Sequence, residues 1–479
     1  MKMIHFVKKF EKTEMHKPFY KISRCLAFLF SMILFSCSQP NEHHTPSIIP
    51  YEVNAPFLDS LSQRTFNFFW ETADSTTGNL PDRWPSKSFS SIASTGFGLT
   101  AYLIGVERGY ITRDQSAQRV LKTLRFFQQA PKGDKPTGTS GYKGFFYHFI
   151  DMKTGLRFRE VELSTIDTGL LMAGILSCQS FFDQENETEK EIRSIADSLF
   201  LAVEWDWALN KKGTMSMGWH PEGGFIEASW QGYNEGMILY LMALGSTTHP
   251  VPQSSWNAWT QTYQWGKYFG YEHVNFGPLF GHQYSHCWVD FRGIQDDYIR
   301  SKGIDYFENS RRATLANRAY CIANSGGWKG YGEDTWGLTA CDGPGNENKS
   351  NPNMAFMGYH ARGAAQWYVE DDGTLAPTAA GGSIPFAPSE CIAALKNMKQ
   401  NLGEKIFGQY GFKDAFNQTI TYQDGSAGWF DQDYLGIDQG AILIGIENYR
   451  NDFVWRLMKK NKYMVSGLKK AGFTGGWIQ

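Results

Sequence analysis

The chain lacks most of the signatures that fix a function early. Its 46 basic and 48 acidic residues leave a formal net charge of −2, so no charge excess points to nucleic acid or an acidic lipid surface. No CxxC pair offers a zinc site, no HExxH offers a catalytic metal, and no GxSxG elbow offers a serine nucleophile. Gly326-Gly327 and Gly381-Gly382 do not sit between a strand pattern and a helix pattern, which argues against phosphate or dinucleotide loops. Cys178, Cys287, Cys321, Cys341 and Cys391 are odd in number and irregularly spaced, so they read as small core residues rather than a disulfide framework. The apolar run from Cys25 to Phe35 is too short to cross a bilayer core.

That run has another use. Lys2, Lys8, Lys9, Lys12, Lys17, Lys21 and Arg24 precede it, the order of an export signal, and Met15 is a second candidate start. Leu34-Phe35-Ser36-Cys37 resembles a bacterial lipobox, in which cleavage precedes the cysteine and its thiol is lipidated. The expected organisation is a signal peptide over 1–36, a polar, Pro-containing tether over 37–55 and one large domain over 56–479. The expected location is the periplasm or cell envelope, held to the membrane through Cys37.

Aromatics are abundant, at 15% of residues with 16 Trp and 23 Tyr. A large helical core absorbs many of them, but sugar rings also stack their C–H faces on Trp and Tyr. Apolar residues recur three or four apart in Ala117-Val120-Leu121-Leu124-Phe127 and in Ile192-Ile195-Ala196-Leu199-Phe200, the helical period. Residues 147–158 read instead as a β-hairpin with a Gly-bearing turn.

Three segments share one form: Ile166-Asp167-Thr168-Gly169, Asn234-Glu235-Gly236-Met237 and Ile437-Asp438-Gln439-Gly440, each opening a strongly apolar stretch. Ala93-Ser94-Thr95-Gly96 is a fourth, without the acid. The steps from Thr95 to Asp167 and on to Glu235 are 72 and 68 residues, and Glu235 to Asp438 is 203, close to three such steps. Six units of two helices each fit the chain after the tether. The expected fold is therefore all-α: an (α/α)6 barrel, a toroid of six helical hairpins with an inner and an outer ring and minor β-hairpins in its loops. Up-and-down connectivity brings Asp167, Glu235 and Asp438 to one pole.

A single acid at a helix start is usually a cap, because it complements orphan N–H groups and the helix dipole. Three at one pole among aromatic loops form a candidate site. Glycoside hydrolysis needs one protonated carboxyl to protonate the leaving oxygen and one ionised carboxylate to activate water. Glu235 is the candidate acid, since Trp230, Tyr233 and the apolar helix after it would desolvate its carboxyl, with Glu160, Glu162 and Asp167 adding like-charge pressure. The ionised partner is sought among Asp424, Asp431, Asp433 and Asp438, with Asp167 also at the rim. Arg83 is expected to pair with a rim carboxylate or bind sugar hydroxyls. About a third of Trp70, Trp84, Trp219, Trp230, Trp288, Trp328, Trp336 and Trp429 are expected as sugar platforms. His282 and His286 are four apart, but without a third ligand they are read as polar residues near the substrate, and no metal or cofactor is expected.

Several segments carry a family resemblance: Phe68-Phe69-Trp70-Glu71 with Gly78-Asn79-Leu80-Pro81-Asp82-Arg83, Phe146-Tyr147-His148-Phe149, Glu162 to Thr168, Gly232-Tyr233-Asn234-Glu235-Gly236, Phe280 to His286, Trp336-Gly337-Leu338-Thr339-Ala340, and Gly436-Ile437-Asp438-Gln439-Gly440. In this order they resemble the bacterial glycoamylase-like proteins, which include glycoside hydrolase family 144, the β-1,2-glucanases. The resemblance runs from about Phe57 to the C-terminus. It implies an (α/α)6 barrel, metal-independent hydrolysis of β-1,2-linked glucan with inversion, release of sophorose or short oligosaccharides, and Glu235 as the acid. A glucan is then the expected partner of a chain expected to act as a monomer. Two rivals stay open at this point: a polysaccharide lyase, whose uronate substrate an acidic rim would repel, and a non-catalytic glycan-binding lipoprotein.

Overall fold

The computed structural model describes residues 51–346, 349–351 and 353–478. The expected signal peptide, Cys37 and residues 38–50 of the expected tether lie outside them. The last five tether residues are not a tether: helix α1 begins at Tyr51 and runs to Thr72, burying Leu58, Leu61, Phe66, Phe68 and Phe69. A polar, Pro-bearing stretch obscured this start, because Pro56 lies inside the helix at its sixth residue, where proline ordinarily reads as a break.

Beyond α1, helices buried on every side alternate with amphipathic ones. The buried set is α2 (Ile92–Glu107), α4 (Thr165–Phe181), α6 (Met237–Gly245), α7 (Tyr284–Trp288), α9 (Pro377–Gly381) and α11 (Gly436–Asn451). The amphipathic set includes α3 (Arg113–Gln129), α5 (Glu187–Leu201), α8 (Tyr306–Ala323), α10 (Pro388–Leu402) and α12 (Lys462–Lys470). The periodic stripe at Ala117 to Phe127 is the buried face of α3, whose start is fixed by a capping box between Thr112 and Gln115. The stripe at Ile192 to Phe200 is the buried face of α5. No helix of the described residues is long and apolar enough to cross a membrane.

The buried helices touch in sequence: α2 against α4, α4 against α6, α6 against α7, α7 against α11, and α11 back against α2, with α9 docked on α11. Gln283 ties α9 to the start of α7 by donating to Ala379 O at 2.9 Å and Ser383 Oγ at 2.8 Å. The α2–α4 pair crosses backbone to backbone. A Cβ on Gly174 would stand 2.1 Å from Gly96 O, and one on Gly96 would stand 2.3 Å from Leu170 O, so only glycine permits this approach.

Strands are more organised than minor hairpins. Leu163–Ser164 lies at the centre of a five-stranded antiparallel sheet with Gly141–Tyr142, Phe145–Tyr147, Gly218–His220 and Gly224–Phe225, and it runs directly into α4. The expected hairpin over 147–158 is present in reduced form, as a bridge between Ile150 and Arg157. Arg83–Trp84 pairs with Tyr434–Leu435, which leads into α11, and Gly436 N donates to Asp82 O at 2.9 Å. A three-stranded sheet of Thr374–Leu375, Phe416–Thr421 and Ala427–Phe430 borders the same region. Alternation in two- and three-residue strands is too brief to register as a period, which is why the sequence read as nearly all helix.

Candidate active site

A cleft of about 620 Å³ opens where α4 and α6 begin. That volume falls in the range of small-molecule sites, roughly 300–1,000 Å³. Its polar wall includes His148, Glu162, Asp167 and Glu235, and its aromatic wall includes Trp230, Tyr233, Phe276, Trp367 and Tyr368.

Glu235 sits in the turn just before α6, with Gly236 as the helix cap. The turn closes on itself through Asn234, whose Nδ2 donates to Gln231 O at 2.9 Å and whose Oδ1 accepts from Gly236 N at 2.9 Å. Ser285 Oγ, at the start of α7, donates to Glu235 O at 3.1 Å. The backbone is thus held from two sides, while among the described residues no hydrogen-bond partner reaches the buried Oε2. Only 4% of Glu235 is exposed. Burial, reinforced by the Asp167 charge, pushes its carboxyl up to about 8, so it stays protonated at neutral pH.

Asp167, in the first turn of α4, accepts from the hydroxyl of its N-cap Ser164. His148 Nδ1 lies 2.8 Å from Glu162 Oε1, and its Nε2 lies 3.6 Å from Asp167 Oδ1. Burial alone would lower the imidazole, but Asp167 and Glu162 outweigh it and push it up to about 9. Burial likewise opposes the charge on Glu162, and the His148 cation overcomes this and holds it at about 2. Burial holds the Asp167 carboxyl above its ordinary range, with the His148 cation opposing it, so the charged core of the cluster is the His148–Glu162 pair.

A second acidic group adjoins this one, since Asp82 feels the His148 charge. It comprises Asp82, Asp342, Asp414, Asp431, Asp433 and Asp438, with Arg83 paired into it and Lys413 near Asp431. Arg83 Nε donates to Asp82 Oδ2 at 3.1 Å and Nη1 to Asp342 Oδ2. Asp438, in the first turn of α11, is 3% exposed, and burial raises its carboxyl to about 7. Asp431 is raised to about 6, again chiefly by burial. Asp433 is held by Ser86 N at 2.9 Å. Asp342, Asp414 and Asp431 can bring one oxygen each within 4.8 Å of the others, close enough to share a cation or protons. Tyr284 on α7 is close enough to feel both Asp438 and Glu235.

Several expected site residues lie elsewhere. Asp424 is in an exposed turn, where its carboxylate is occupied by Ser426 N at 2.9 Å and Ser426 Oγ at 2.7 Å; it caps that turn and is removed from the catalytic candidates. Trp336 is fully buried in the core beside Leu338 and Leu375, and Trp429 packs on Cys341, Ala376 and Ala415, so neither faces the cleft. His282 and His286 stand behind the wall: the His282 ring lies 4.8 Å from Tyr233, and His286 Nε2 lies 3.0 Å from Ser310 Oγ. Burial drives both imidazoles down, His286 to about 3, so they support the wall as neutral rings. Trp230 and Tyr233 do line the cleft, and Trp230 Nε1 donates to Thr165 Oγ1 at 2.9 Å.

Asp342, Asp414 and Trp367 are further residues of this region that were not among the sequence candidates. Trp367 occupies the two-residue turn of a hairpin, Gly363–Ala365 with Tyr368–Glu370, and is 54% exposed at the cleft rim. A tryptophan between two short β-type runs was the available signal. Nothing local distinguishes Asp414 from a solvated loop acid.

The family model named "Putative glucoamylase" matches residues 227–462, which include Glu235 and Asp438. A crystal structure from Bacteroides uniformis carrying the same description is 33% identical, with TM-score 0.77 over 89% of this chain and 99% of that one. An endo-β-1,2-glucanase from Chitinophaga pinensis, in complex with sophorotriose and glucose, is 30% identical, with TM-score 0.76 over 88% of this chain and 99% of that one. An exo-β-1,2-glucooligosaccharide sophorohydrolase (non-reducing end) of Parabacteroides distasonis is 30% identical over 95% of this chain, which spans 62% of that relative's length. With a protonated, buried glutamate at the cleft and full-length likeness to these structures, the chain belongs to the glycoamylase family.

Proposed function

We propose that the protein is an inverting glycoside hydrolase that cuts β-1,2-linked glucan, or oligosaccharides derived from it, releasing sophorose or short products. The observation that carries this reading is Glu235: a buried carboxyl raised to about 8, at the floor of a cleft walled by aromatic rings and hydroxyl-binding polar groups. Such a group is a proton donor to a leaving glycosidic oxygen at neutral pH. The two relatives that act on β-1,2-linkages supply the linkage.

Asp438 is the base in this reading. Asp167 is engaged on both sides, by Ser164 and His148, and serves to fix the charge beside Glu235. Asp438 sits at a helix N-terminus, which favours its ionised form, and has Tyr284 as a neighbour in common with Glu235. The cycle of buried helices with amphipathic partners supports an (α/α)6 toroid, with catalytic groups at the pole where the buried helices start. The lipobox-like segment ending at Cys37 supports a lipid-anchored protein of the periplasm or cell envelope, which palmitate labelling of wild type against Cys37→Ala tests.

The function is tested by product analysis on β-1,2-, β-1,3-, β-1,4- and α-1,4-glucans, with Glu235→Gln as control. Oligosaccharides of opposite anomeric configuration from β-1,2-glucan alone are expected, and a loss of at least about 100-fold in the variant. Unsaturated product, or wild-type turnover by the variant, would refute it.

A further inference from the structure

Asp438 and Asp414 face each other inside the protein. Asp414 is 1% exposed and Asp438 3%. Among the described residues, no N–H or hydroxyl donor reaches Asp414 Oδ1 or Asp438 Oδ2. Gln439 Nε2 donates to Phe412 O at 2.8 Å and so seats the 412–414 segment on the start of α11, where each carboxyl bears on the other's proton. Two buried carboxyls within reach of one another do not both stay ionised; one of the pair holds a proton.

The surroundings decide which one. Asp438 is the third residue of a 16-residue helix, so its charge meets the positive end of the dipole and the N–H groups that the helix leaves unpaired. Arg83 adds attraction for its anionic form. Asp414 lies in a loop between strands and receives one backbone donor, Asp342 N to Oδ2 at 2.7 Å, while Asp342 and Asp431 press on it as like charges. The other groups facing Asp438 are Asp82, Asp342, Tyr284, Tyr359 and Cys341. None of these is a cation.

We infer that Asp414 is a positioning residue for Asp438: it remains a neutral carboxylic acid and donates its proton in a hydrogen bond to the Asp438 carboxylate, fixing the rotamer and the charge of the base. Its other oxygen is pinned by Asp342 N, so the donor cannot swing away. Burial and the neighbouring carboxylates drive Asp414 well above its ordinary range, and the hydrogen bond it gives draws Asp438 down against burial. The inference rests on the reading of Asp438 as base.

The test compares Asp414→Asn with Asp414→Ala in the purified chain on a β-1,2-glucooligosaccharide. An amide keeps the shape, still accepts from Asp342 N and still donates to Asp438, but holds no titratable proton. Asp414→Asn is expected to keep kcat within about threefold, whereas Asp414→Ala lowers kcat by about 10- to 100-fold with KM unchanged, as misplaced catalytic groups do. Without its donor, Asp438 should protonate more readily, so the acidic limb of kcat/KM rises by about one pH unit in Asp414→Ala and stays in place or falls in Asp414→Asn. Thermal melts establish that both variants are folded; if the alanine variant is not, retention of kcat and of the acidic limb in Asp414→Asn still decides.

Three results would overturn the inference. One is a folded Asp414→Asn as inactive as the alanine variant. Another is Asp414→Ala with wild-type kcat and an unmoved acidic limb. The third is wild-type activity that falls with a chelator and returns with Ca²⁺ or Mg²⁺, because the cluster would then hold a cation in place of the proton. Asp438→Asn separates the base from its positioning residue. Full activity there removes Asp438 as base; an inactive Asp438→Asn beside a fully active Asp414→Ala removes only the positioning role.

Discussion

His148 Nδ1 lies 2.8 Å from Glu162 Oε1, making an ion pair at the cleft wall whose side chains are 20% and 17% exposed. With the imidazole at about 9 in the fold against about 6.5 when unfolded, this contribution to stability is complete below pH 6.5 and is lost as pH rises through about 9. His148→Gln should therefore lower the melting temperature more at pH 6 than at pH 10. The deficit at pH 6 is expected to be about 2 kcal/mol, because Glu162 and Asp167 are left facing one another. Equal deficits at both pH values, measured by calorimetry, would contradict this pairing.

Activity should follow a narrow bell. The base must be ionised, which needs pH above the Asp438 value of about 7, and the acid must be protonated, which needs pH below the Glu235 value of about 8. A kcat/KM profile with its maximum near pH 7–8 and falling on both sides is expected. A plateau extending to pH 5 would exclude Asp438 as the acid-limb group.

The buried proton of Glu235 has a stability consequence with its own sign. Its folded value lies above the unfolded carboxyl value of 4.5, so the native state is increasingly penalised as pH rises from 4.5 to about 8. Glu235→Gln removes that penalty. The variant should melt higher than wild type at pH 8, by an amount on the order of 1 kcal/mol or more, and should match it at pH 4. A destabilised variant at pH 8 would place the carboxylate, not the acid, in the native cleft.

Trp367 should govern the length of sugar bound. Its ring is 54% exposed beside the cleft, and its edge rests on Gly266, where a Cβ would stand 2.6 Å from Cη2. No fold role explains an exposed indole held that way, whereas a glucosyl ring would cover it. Trp367→Ala should raise KM by about fivefold for longer oligosaccharides, consistent with roughly 1 kcal/mol of ring stacking. The shortest substrate that is cut should be little affected. A uniform loss of kcat across lengths would assign the residue to the hairpin instead.

The parts of this protein that a periodic signal encodes were legible in its sequence. The α3 and α5 stripes and the acid-Gly-apolar starts of α4, α6 and α11 gave the helices and the placing of Asp167 and Glu235 on one cleft. What periodicity cannot carry was missed. Two-residue strands such as Leu163–Ser164 leave no alternation to detect, so the five-stranded sheet went unread. Trp336 and Trp429 lie in loop-like sequence yet are packed, because exposure depends on distant partners such as Ala376. Asp424 stood among the sequence candidates and Asp414 did not, because only the fold distinguishes a solvated turn from a buried position against α11. The spacing of His282 and His286 implied one helical face, but a break at Gln283 splits them between a 3-10 turn and α7.

The glycine crossing of α2 and α4 makes the frame incompressible at that point: main chain meets main chain, with no side chain left to shorten or repack. A methyl group on either glycine would part the two helices and carry the start of α4, with Asp167, away from its place beside Glu235.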